Sequence, residues 1–583
     1  MTYPGASQIR LCPSTLFWAM LTVMGLLCQP AWAQVPPVQV PPPFPPELPL
    51  PPEEIRPAPP PGSVLPPPPP PPPGKTPLLP LSVFVREIRV DGNTVFTPEQ
   101  LATVTAPYTN RNLTSEDLES LRVALTKFYV DRGYVTSGAI IPDQAVSEGI
   151  ITLRVIEGRL GHIEVEGNYW FRPAYLEERI ALGAGPPVNI NALQERLLLL
   201  QENPGITRLN AELRPGIARG QSVLNVKVVE ANPIKAWLEF NNYLSPTVGS
   251  ERGLATVAHQ NLTGHGDLLS FQYGKSSGVD PQIDARYTLP LTARDTTLTL
   301  EYRKNDFAVI DPTFTFLNIE SRSEIYGVTL RHPLYRTLNR EFALAFTGEH
   351  LYNKITTDFD FISPSLSDQL VPGARGGVSR VSALRFSQEL THRTGNQVIA
   401  AFSRFSVGID VLGSTNNKQS STDAGGKFFS WLGQAQWARR LEPWKVQLIA
   451  RVALQLTDDH LFPLEQMSVG GRYSVRGYRE NTLVRDNAVL ASFESRIPVL
   501  RSELGGDLLR LAPFVDYGRA YNSRTPGPEP LKDLASIGLG LIWDIMQGSR
   551  FEVYWGHRLN HVDNPDGNLQ DHGVHLQLII EVL

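Results

Sequence analysis

Two groups of residues near the end of the chain have spacings that suit metal binding. His557 and His561 are four positions apart, which would place both imidazoles on one face of a helix, and residues 563–567 (D-N-P-D-G) offer carboxylates of the kind that bind calcium. The residues around the histidines alternate as in a strand, however, and Asn-Pro followed by Asp-Gly is typical of a turn. We therefore expect rim residues and a turn here, with no metal and no other cofactor.

No motif points to an active site or to nucleic-acid binding. The sequence has neither the phosphate-binding pattern G-x-x-x-x-G-K-[ST] nor the zinc-binding pattern H-E-x-x-H. Lys and Arg number 53 against 58 Asp and Glu, a net charge of -5, so the chain lacks the basic excess that nucleic acid requires. We predict neither an enzyme nor a nucleic-acid-binding protein.

The first 80 residues have the composition of an export signal followed by a linker. An apolar run from Leu16 to Leu27 precedes Ala31-Trp32-Ala33, a small-residue pattern typical of signal cleavage. Residues 1–33 are therefore expected to be a removed signal peptide; the alternative is an uncleaved anchor, for which the run is short. Residues 34–80 are dominated by proline, which fixes φ and lacks an N–H, so we expect an extended, disordered linker.

An internal repeat follows the linker. Residues 88–93 read I-R-V-D-G-N and residues 163–168 read I-E-V-E-G-N. Each copy continues through two helical patterns and two alternating strands, so we predict two small α/β modules of order β-α-α-β-β, at residues 81–158 and 159–232. In the first copy, Thr97 and Thr114 have the spacing of helix N-caps to their partners three residues later.

Beyond residue 232 the helical spacing gives way to alternation. Apolar residues occupy every second position through Ile283–Leu289, Val446–Leu454 and Val574–Val582, with polar or charged residues between most of them. About sixteen such segments of roughly ten residues suit a closed antiparallel barrel with lipid outside and water inside. A soluble sandwich alternates in the same way. The even strand number favours the barrel.

Aromatic residues near segment ends add to this interpretation. Tyr243, Tyr287, Tyr302, Trp431, Trp437 and Trp444 have the placement of interface girdles. After residue 33 no run of 18 apolar residues occurs, so a barrel is the expected way to cross a membrane. The fold predicted for residues 233–583 is therefore an all-β transmembrane barrel of 16 antiparallel strands in an outer membrane, with both ends on the side of the two modules.

Three segments resemble one family. Residues 129–144 and 155–160 are similar to the first POTRA domain of two-partner secretion transporters (TpsB). Residues 470–478, which include Val475, Arg476, Gly477 and Tyr478, resemble an extracellular loop tip that folds back into the lumen in the POTRA plus β-barrel superfamily. Phe514-Val-Asp516-Tyr-Gly518 resembles that superfamily's motif on the thirteenth strand.

The resemblance implies an outer-membrane transporter that captures an unfolded partner exoprotein with periplasmic POTRA domains and passes it to the cell surface. It also implies that Arg476 pairs with Asp516 and locks the loop; from the residues alone, both would be solvated lumen charges. An amino-terminal helix often plugs the pore in this family, and the proline-rich tract predicts that no such helix forms there.

Partners and substrate contacts follow from the same implication. We expect an exoprotein substrate, outer-membrane lipid, periplasmic chaperones and the barrel assembly machinery as partners of a monomer. The strand near Ala139, Ile140 and Ile141 is the expected capture edge, where an extended chain adds by backbone hydrogen bonds. The alternatives are an assembly factor that inserts other barrels, for which two modules are few, and a passive porin.

Overall fold

The computed structural model describes residues 82–583 apart from 145, 147, 313, 362–364, 417–422, 503–505, 524–531, 547 and 563–566. The expected signal peptide and linker lie outside the described residues, as does most of the D-N-P-D-G segment. In the part that is described, no helix is both long enough and apolar enough to span a bilayer.

The first module is a three-stranded sheet covered by two helices. Its elements are β1 (Ser82–Val85), β2 (Glu87–Asp91), α1 (Pro98–Thr105), β3 (Arg111–Thr114), α2 (Ser115–Val130), β4 (Gly138–Ile140) and β5 (Ile150–Ile156). Strand β5 is central, parallel to β2 and antiparallel to β4, while β1 and β3 form a separate pair. Both helices begin with the predicted capping boxes, at Thr97 and Thr114.

The second module has the predicted β-α-α-β-β order. Its elements are β6 (Arg159–Glu166), α3 (Pro173–Ala181), α4 (Ile190–Gln201), β7 (Ile206–Pro215) and β8 (Gln221–Glu230). The sheet order β6-β8-β7 reproduces that of the first module, with the last strand in the centre.

The internal repeat corresponds to a turn of the same conformation in both modules. Gly92 and Gly167 both have φ of +80°, and a Cβ there would lie 2.4 Å from the Val155 carbonyl oxygen and 2.5 Å from that of Val228. Only glycine combines this backbone conformation with so close an approach. The repeated Gly-Asn therefore fixes how the first strand of each module leaves its sheet.

The remaining strands belong to the barrel and to one of its loops. They are β9 (Ile234–Asn241), β10 (Arg252–Gln260), β11 (Leu268–Ser276), β12 (Val279–Pro290), β13 (Thr297–Ala308), β14 (Glu320–Arg336), β15 (Arg340–Thr356), β16 (Val378–Arg393), β17 (Gln397–Ile409), β18 (Phe429–Leu441), β19 (Val446–Thr457), β20 (Met467–Val469), β21 (Leu483–Arg485), β22 (Asn487–Arg501), β23 (Asp507–Tyr521), β24 (Asp533–Met546), β25 (Ser549–Arg558) and β26 (Val574–Glu581). Among the described residues, β20 and β21 pair with each other and the other sixteen close in antiparallel order, with β26 returning to β9. A one-turn helix, α5 (Leu366–Leu370), lies between β15 and β16. The predicted closed barrel of 16 antiparallel strands is confirmed.

Exposure alternates along the barrel strands as the lipid-outside arrangement requires. On β23, Val515 and Tyr517 are 46% and 40% exposed, whereas Phe514, Asp516 and Gly518 between and beside them are buried. The apolar residues of the alternation therefore face outward, and polar residues face the lumen. A soluble sandwich would have the opposite arrangement.

One predicted girdle residue lies elsewhere. Trp444, in the turn between β18 and β19, is 71% exposed, as expected of an interface residue. Tyr243 follows β9 and is buried, with its ring edge-on to Tyr473 at 5.6 Å. A position at the end of a segment is compatible with the membrane interface and with the barrel interior. Tyr473, which packs against Tyr243, lies 230 residues away in sequence.

Candidate functional site

A long loop that joins β19 to β22 folds back against the inner wall of the barrel. This folded-back loop, residues 458–486, contains the β20–β21 hairpin and has Val475–Tyr478 at its tip. All four tip residues are buried. They lie against β23, which carries Phe514, Asp516 and Gly518, so the structure brings together the two motifs that the sequence singled out.

Arg476 and Asp516 form the central contact. The Arg476 side chain donates from Nε to Asp516 Oδ2 at 2.7 Å and from Nη2 to Oδ1 at 2.8 Å, and the Arg476 backbone N–H donates to Oδ2 at 3.0 Å. Two parallel bonds are the geometry in which a guanidinium fits a carboxylate best. The two residues are 2% and 1% exposed, so they are not solvated lumen charges.

Other groups complete the surroundings of Arg476. Glu494 on β22 accepts a short hydrogen bond from Nη1, and the Phe514 ring lies 3.7 Å from the guanidinium carbon. Arg496 donates to the other oxygen of Glu494 at 2.7 Å. Two arginines thus face two carboxylates in a buried site, where an unpaired charge would be costly. Sequence reasoning missed Glu494 and Arg496 because neither belongs to a motif.

Glycines let the loop tip touch the wall backbone to backbone. Gly477 has φ of +92°, and a Cβ there would lie 2.7 Å from the Gly556 carbonyl oxygen on β25. A Cβ on Gly556 would in turn lie 2.8 Å from the Gly477 Cα. On β23, a Cβ on Gly518 would lie 2.8 Å from the Val475 side chain. The tip therefore fits only where the wall presents no side chain, and Gly556 was not foreseen from the sequence.

Tyr478 fixes the end of the tip. Its hydroxyl lies 2.9 Å from the carbonyl oxygens of Ala535 and Asn560 and accepts from the Asn560 N–H at 3.1 Å. The side chain is fully buried. The ring of a buried tyrosine contributes apolar packing, and its hydrogen-bonded hydroxyl fixes the orientation of the loop tip.

A second ion pair holds the same loop farther back. On β16, Arg385 donates from Nη2 to Glu465 Oε1 at 2.7 Å and from Nη1 to Oε2 at 3.0 Å. Arg385 also donates from Nε to Glu349 on β15 at 2.8 Å and is 4% exposed. Here the arginine is on the wall and the carboxylate on the loop, the reverse of the tip. No motif in the sequence marks this pair.

The loop also contributes to an apolar cluster beyond its ion pairs. Leu461, Phe462 and Leu464 are buried with Leu317 and Val371, which belong to the β13–β14 and β15–β16 connections. These connections leave the barrel at the end opposite to the modules. The folded-back loop is thus fixed at its tip, at Glu465 and at the outer end of the barrel.

The expected capture edge is shorter than predicted. Strand β4 ends at Ile140, so Ile141 follows it and packs partly buried against the module core. Pro142 cannot donate a ladder hydrogen bond, and the Gln144 side chain replaces the missing strand by pairing with both the N–H and the carbonyl of Thr152 at 2.8 Å.

Side chains of α2 occupy the free edge of β4. The Ala139 N–H donates to Thr126 Oγ1 at 3.0 Å, and Arg122 Nη1 lies 3.5 Å from the Ala139 carbonyl oxygen. Ala139 itself is buried, and Ile140 is half-buried. The outward backbone groups of Ala139 are therefore paired with side chains and not with another strand.

Tyr129 and Glu157 belong to the segments that carry the resemblance in the first module. The Tyr129 hydroxyl donates to Asn93 Oδ1 at 2.6 Å, and Glu157 accepts from the Thr94 N–H at 2.8 Å. Burial raises the pKa of the Tyr129 hydroxyl well above its usual value, and the charge of Glu157 raises it further. The hydroxyl therefore remains a donor, and these residues hold the Gly-Asn turn in place.

The second module rests on turns at the end of the barrel where the chain enters it. Arg179 donates from Nη2 to the Thr292 carbonyl at 3.0 Å and from Nε to Asp295 at 3.2 Å, and Arg336 donates to the other Asp295 oxygen at 2.7 Å. The Arg172 N–H donates to the Gly264 carbonyl at 3.0 Å. Two turns of the barrel thus hold the module.

The comparisons with known proteins agree with this geometry. Residues 220–542 match the family described as haemolysin secretion/activation protein ShlB/FhaC/HecB, and residues 83–158 match a ShlB-type POTRA domain. The chain is 25% identical over 445 residues to an outer membrane transporter CdiB of Escherichia coli, covering 75% of this chain and 71% of that protein. It is 24% identical over 454 residues to the hemolysin transporter protein ShlB of Serratia marcescens, covering 74% and 76%.

A solved structure supports the fold. CdiB from Escherichia coli superimposes with a TM-score of 0.67 at 20% sequence identity, covering 99% of this chain and all of that one. The family match extends over more than half of the chain and runs from the end of the second module into β24. The chain therefore belongs to the ShlB/FhaC/HecB haemolysin secretion/activation family and is an outer-membrane transporter with periplasmic POTRA domains, not an enzyme.

Proposed function

We propose that this protein exports an unfolded partner exoprotein, received at the first POTRA module and passed outward through the barrel. In this proposal residues 1–33 are a removed signal, residues 34–80 are a linker, residues 81–158 and 159–232 are the POTRA modules, and residues 233–583 are the barrel. Periplasmic chaperones keep the exoprotein extended, and the transporter, inserted by the barrel assembly machinery, acts as a monomer.

The observation that carries the proposal is the way the folded-back loop is attached. A passive porin needs no more than a lined channel, whereas here a loop lies against the wall through buried ion pairs at Arg476 and Glu465. When the whole loop withdraws, water reaches both members of each pair, so neither charge is left buried without a partner. The loop is therefore suited to leave the lumen when a polypeptide passes and to return afterwards.

Capture at β4 follows from its occupied edge. An incoming extended chain would offer its own carbonyl and N–H to Ala139 and displace Thr126 and Arg122, an exchange of one hydrogen bond for another. The exchange costs little, because no buried group is left unpaired. Such an edge binds extended chains without demanding a particular side-chain sequence.

Deleting residues 82–158 tests the module's role. We expect the variant to insert and fold normally, as judged by heat-dependent mobility in gels, and to secrete no exoprotein. The matched control deletes only residues within 34–80, which leaves both modules in place and should secrete. Normal secretion by the module deletion would refute capture at the first module.

An assembly factor that inserts other barrels is the second candidate. The barrel closes through five residue pairs between β26 and β9, against sixteen between β14 and β15, and a short seam is where another strand could be received. The same deletion separates the two functions. Loss of other outer-membrane barrels, with exoprotein secretion intact, would favour assembly over export.

A further inference from the structure

The second module presents two aromatic side chains just after its Gly-Asn turn. Tyr169 is 84% exposed and Trp170 is 43% exposed, and their rings meet edge-on at 5.3 Å. The backbone beneath them is fixed, because the N–H groups of Trp170 and Phe171 donate to the Glu230 carboxylate at 2.6 and 2.9 Å. The pair is thus held outward on a rigid base.

The position of Trp170 relative to the barrel wall can be read from its contact with β10. Its ring lies edge-on to His259 at a centroid distance of 5.8 Å. His259 pairs across the sheet with Ile234 on one side and Leu269 on the other. Both are exposed on the outward face, at 42% and 39%, so His259 also points outward and Trp170 lies on the lipid side of the wall.

The depth of this contact matches the periplasmic boundary of the membrane. In the same row of paired residues, Leu269 is followed by Tyr287, a residue of the predicted interface girdle. Two positions farther from the modules, the outward residues Val257 and Phe271 are 53% and 48% exposed, as expected of a lipid-facing surface. Trp170 therefore sits where the apolar belt of the barrel ends and the headgroup region begins.

From this placement we infer that the Tyr169–Trp170 pair is a membrane anchor that holds the second POTRA module against the periplasmic leaflet of the outer membrane. Tyrosine and tryptophan favour this interface because an apolar ring and a polar edge each find their medium there. Leu262 in the adjacent β10–β11 turn is 52% exposed, and Arg172 presents a cation that suits lipid phosphate.

The aromatic pair attaches the second module to the bilayer, whereas the polar contacts attach it only to the barrel. Asp295 and Gly264 attach the module to turns of the barrel rim, whereas the aromatic pair attaches it to the bilayer outside the rim. Supports on different sides of the rim oppose tilting of the module toward or away from the membrane. The module is thereby oriented relative to both the pore and the lipid surface.

Single spin labels test the inference in a chain whose native cysteines, Cys12 and Cys28, both precede residue 34. The label is placed at Y169C in protein reconstituted in phospholipid bilayers, and its collisions with oxygen and with a water-soluble nickel chelate are compared. W444C, on the exposed girdle tryptophan, is the lipid-interface reference, and I217C, on a fully exposed residue of the same module, is the aqueous reference. L262C provides a second site should Y169C disturb the module.

The expected result is an oxygen-to-nickel collision ratio at Tyr169 and Leu262 that matches Trp444 and exceeds Ile217 severalfold. A ratio at Tyr169 equal to that at Ile217 would overturn the anchor. Shielding from both reagents that appears only with added exoprotein, or only as protein concentration rises, would also overturn it. Those outcomes would assign the aromatic pair to a protein surface instead.

Discussion

Arg476 shows how one side chain can hold a loop within a transporter. It meets both oxygens of Asp516, shares Glu494 with Arg496 and lies against Phe514, all away from water. In such a site the pair adds little net stability compared with apolar packing, but removing one member leaves the other charge buried and unpaired. The arrangement therefore specifies one loop position more than it stabilises the barrel.

Arg476→Ala should impair secretion far more than barrel assembly. Removing the guanidinium leaves Asp516 buried without an arginine, whereas Glu494 keeps its bond from Arg496. The cost of about 3–5 kcal/mol shifts the docked loop population by roughly a hundredfold or more. Secreted exoprotein is measured together with heat-dependent gel mobility of the transporter. Arg519→Ala, which removes a half-exposed ion pair on the same strand, is the control and should secrete normally. Full secretion by Arg476→Ala at normal surface levels would exclude a lock.

Glu465→Gln should loosen the loop without freeing its tip. The substitution keeps the side-chain size but weakens the charge-assisted bonds to Arg385 by about 1.5–3 kcal/mol; Arg385 retains Glu349. We expect more frequent open events in planar-bilayer recordings. Glu442→Gln, at a half-exposed pair in a periplasmic turn, should leave the recordings unchanged. Identical records for both variants would count against a second attachment point.

At the scale of elements, the loop tip can dock because two positions on the wall strands are glycines and carry no side chain. Gly556 and Gly518 provide flat positions on β25 and β23, so the tip backbone approaches closely enough for Arg476 to reach Asp516. Glycine usually weakens a strand. Here the loss of strand stability is compensated by a contact that no side chain would permit.

Gly556→Ala should push the tip off the wall. The added Cβ would lie 2.8 Å from Gly477 backbone atoms and 2.9 Å from the Arg476 carbonyl carbon, so the backbone must shift. Gly327→Ala on β14 is the matched control, because its nearest atoms would be at 3.6 Å, an ordinary contact. Proteolysis of the folded-back loop in membranes should be faster only for Gly556→Ala. Equal protection of the loop in the two variants would contradict this role of Gly556.

At the scale of the whole molecule, hydrogen bonds and ion pairs join the two periplasmic modules to each other and to the barrel, in addition to the chain itself. The first module meets the second where the Ile190 N–H donates to the Gly133 carbonyl at 2.8 Å and the Val188 N–H to the Gly158 carbonyl at 2.8 Å. The second module meets the barrel through Arg179 and Asp295. A chain of such contacts connects the proposed capture edge at β4 with the pore entrance.

Asp295→Asn should loosen the attachment of the second module to the barrel. Arg179, with a side chain 10% exposed, and Arg336 would both lose a charged acceptor, at about 1–3 kcal/mol. Spin labels at Lys227→Cys in the second module and Trp444→Cys at the barrel rim should show a broader distance distribution by pulsed dipolar spectroscopy. Asp280→Asn, at an exposed pair near the opposite end of the barrel, is the control. An unchanged distribution in Asp295→Asn would show that the pair does not seat the module.

The sequence alone determined the kind of structure, because period and local capping are properties of neighbouring residues. Alternation gave the sixteen strands, the Thr97 and Thr114 caps gave the first module's helices, and the repeated Gly-Asn gave two modules. Only the tertiary structure decided which distant residues meet: Glu465 with Arg385, Gly556 with Gly477, and Trp170 with His259. Barrel closure and loop folding set these contacts, and they depend on positions far apart in the chain, which no local pattern records.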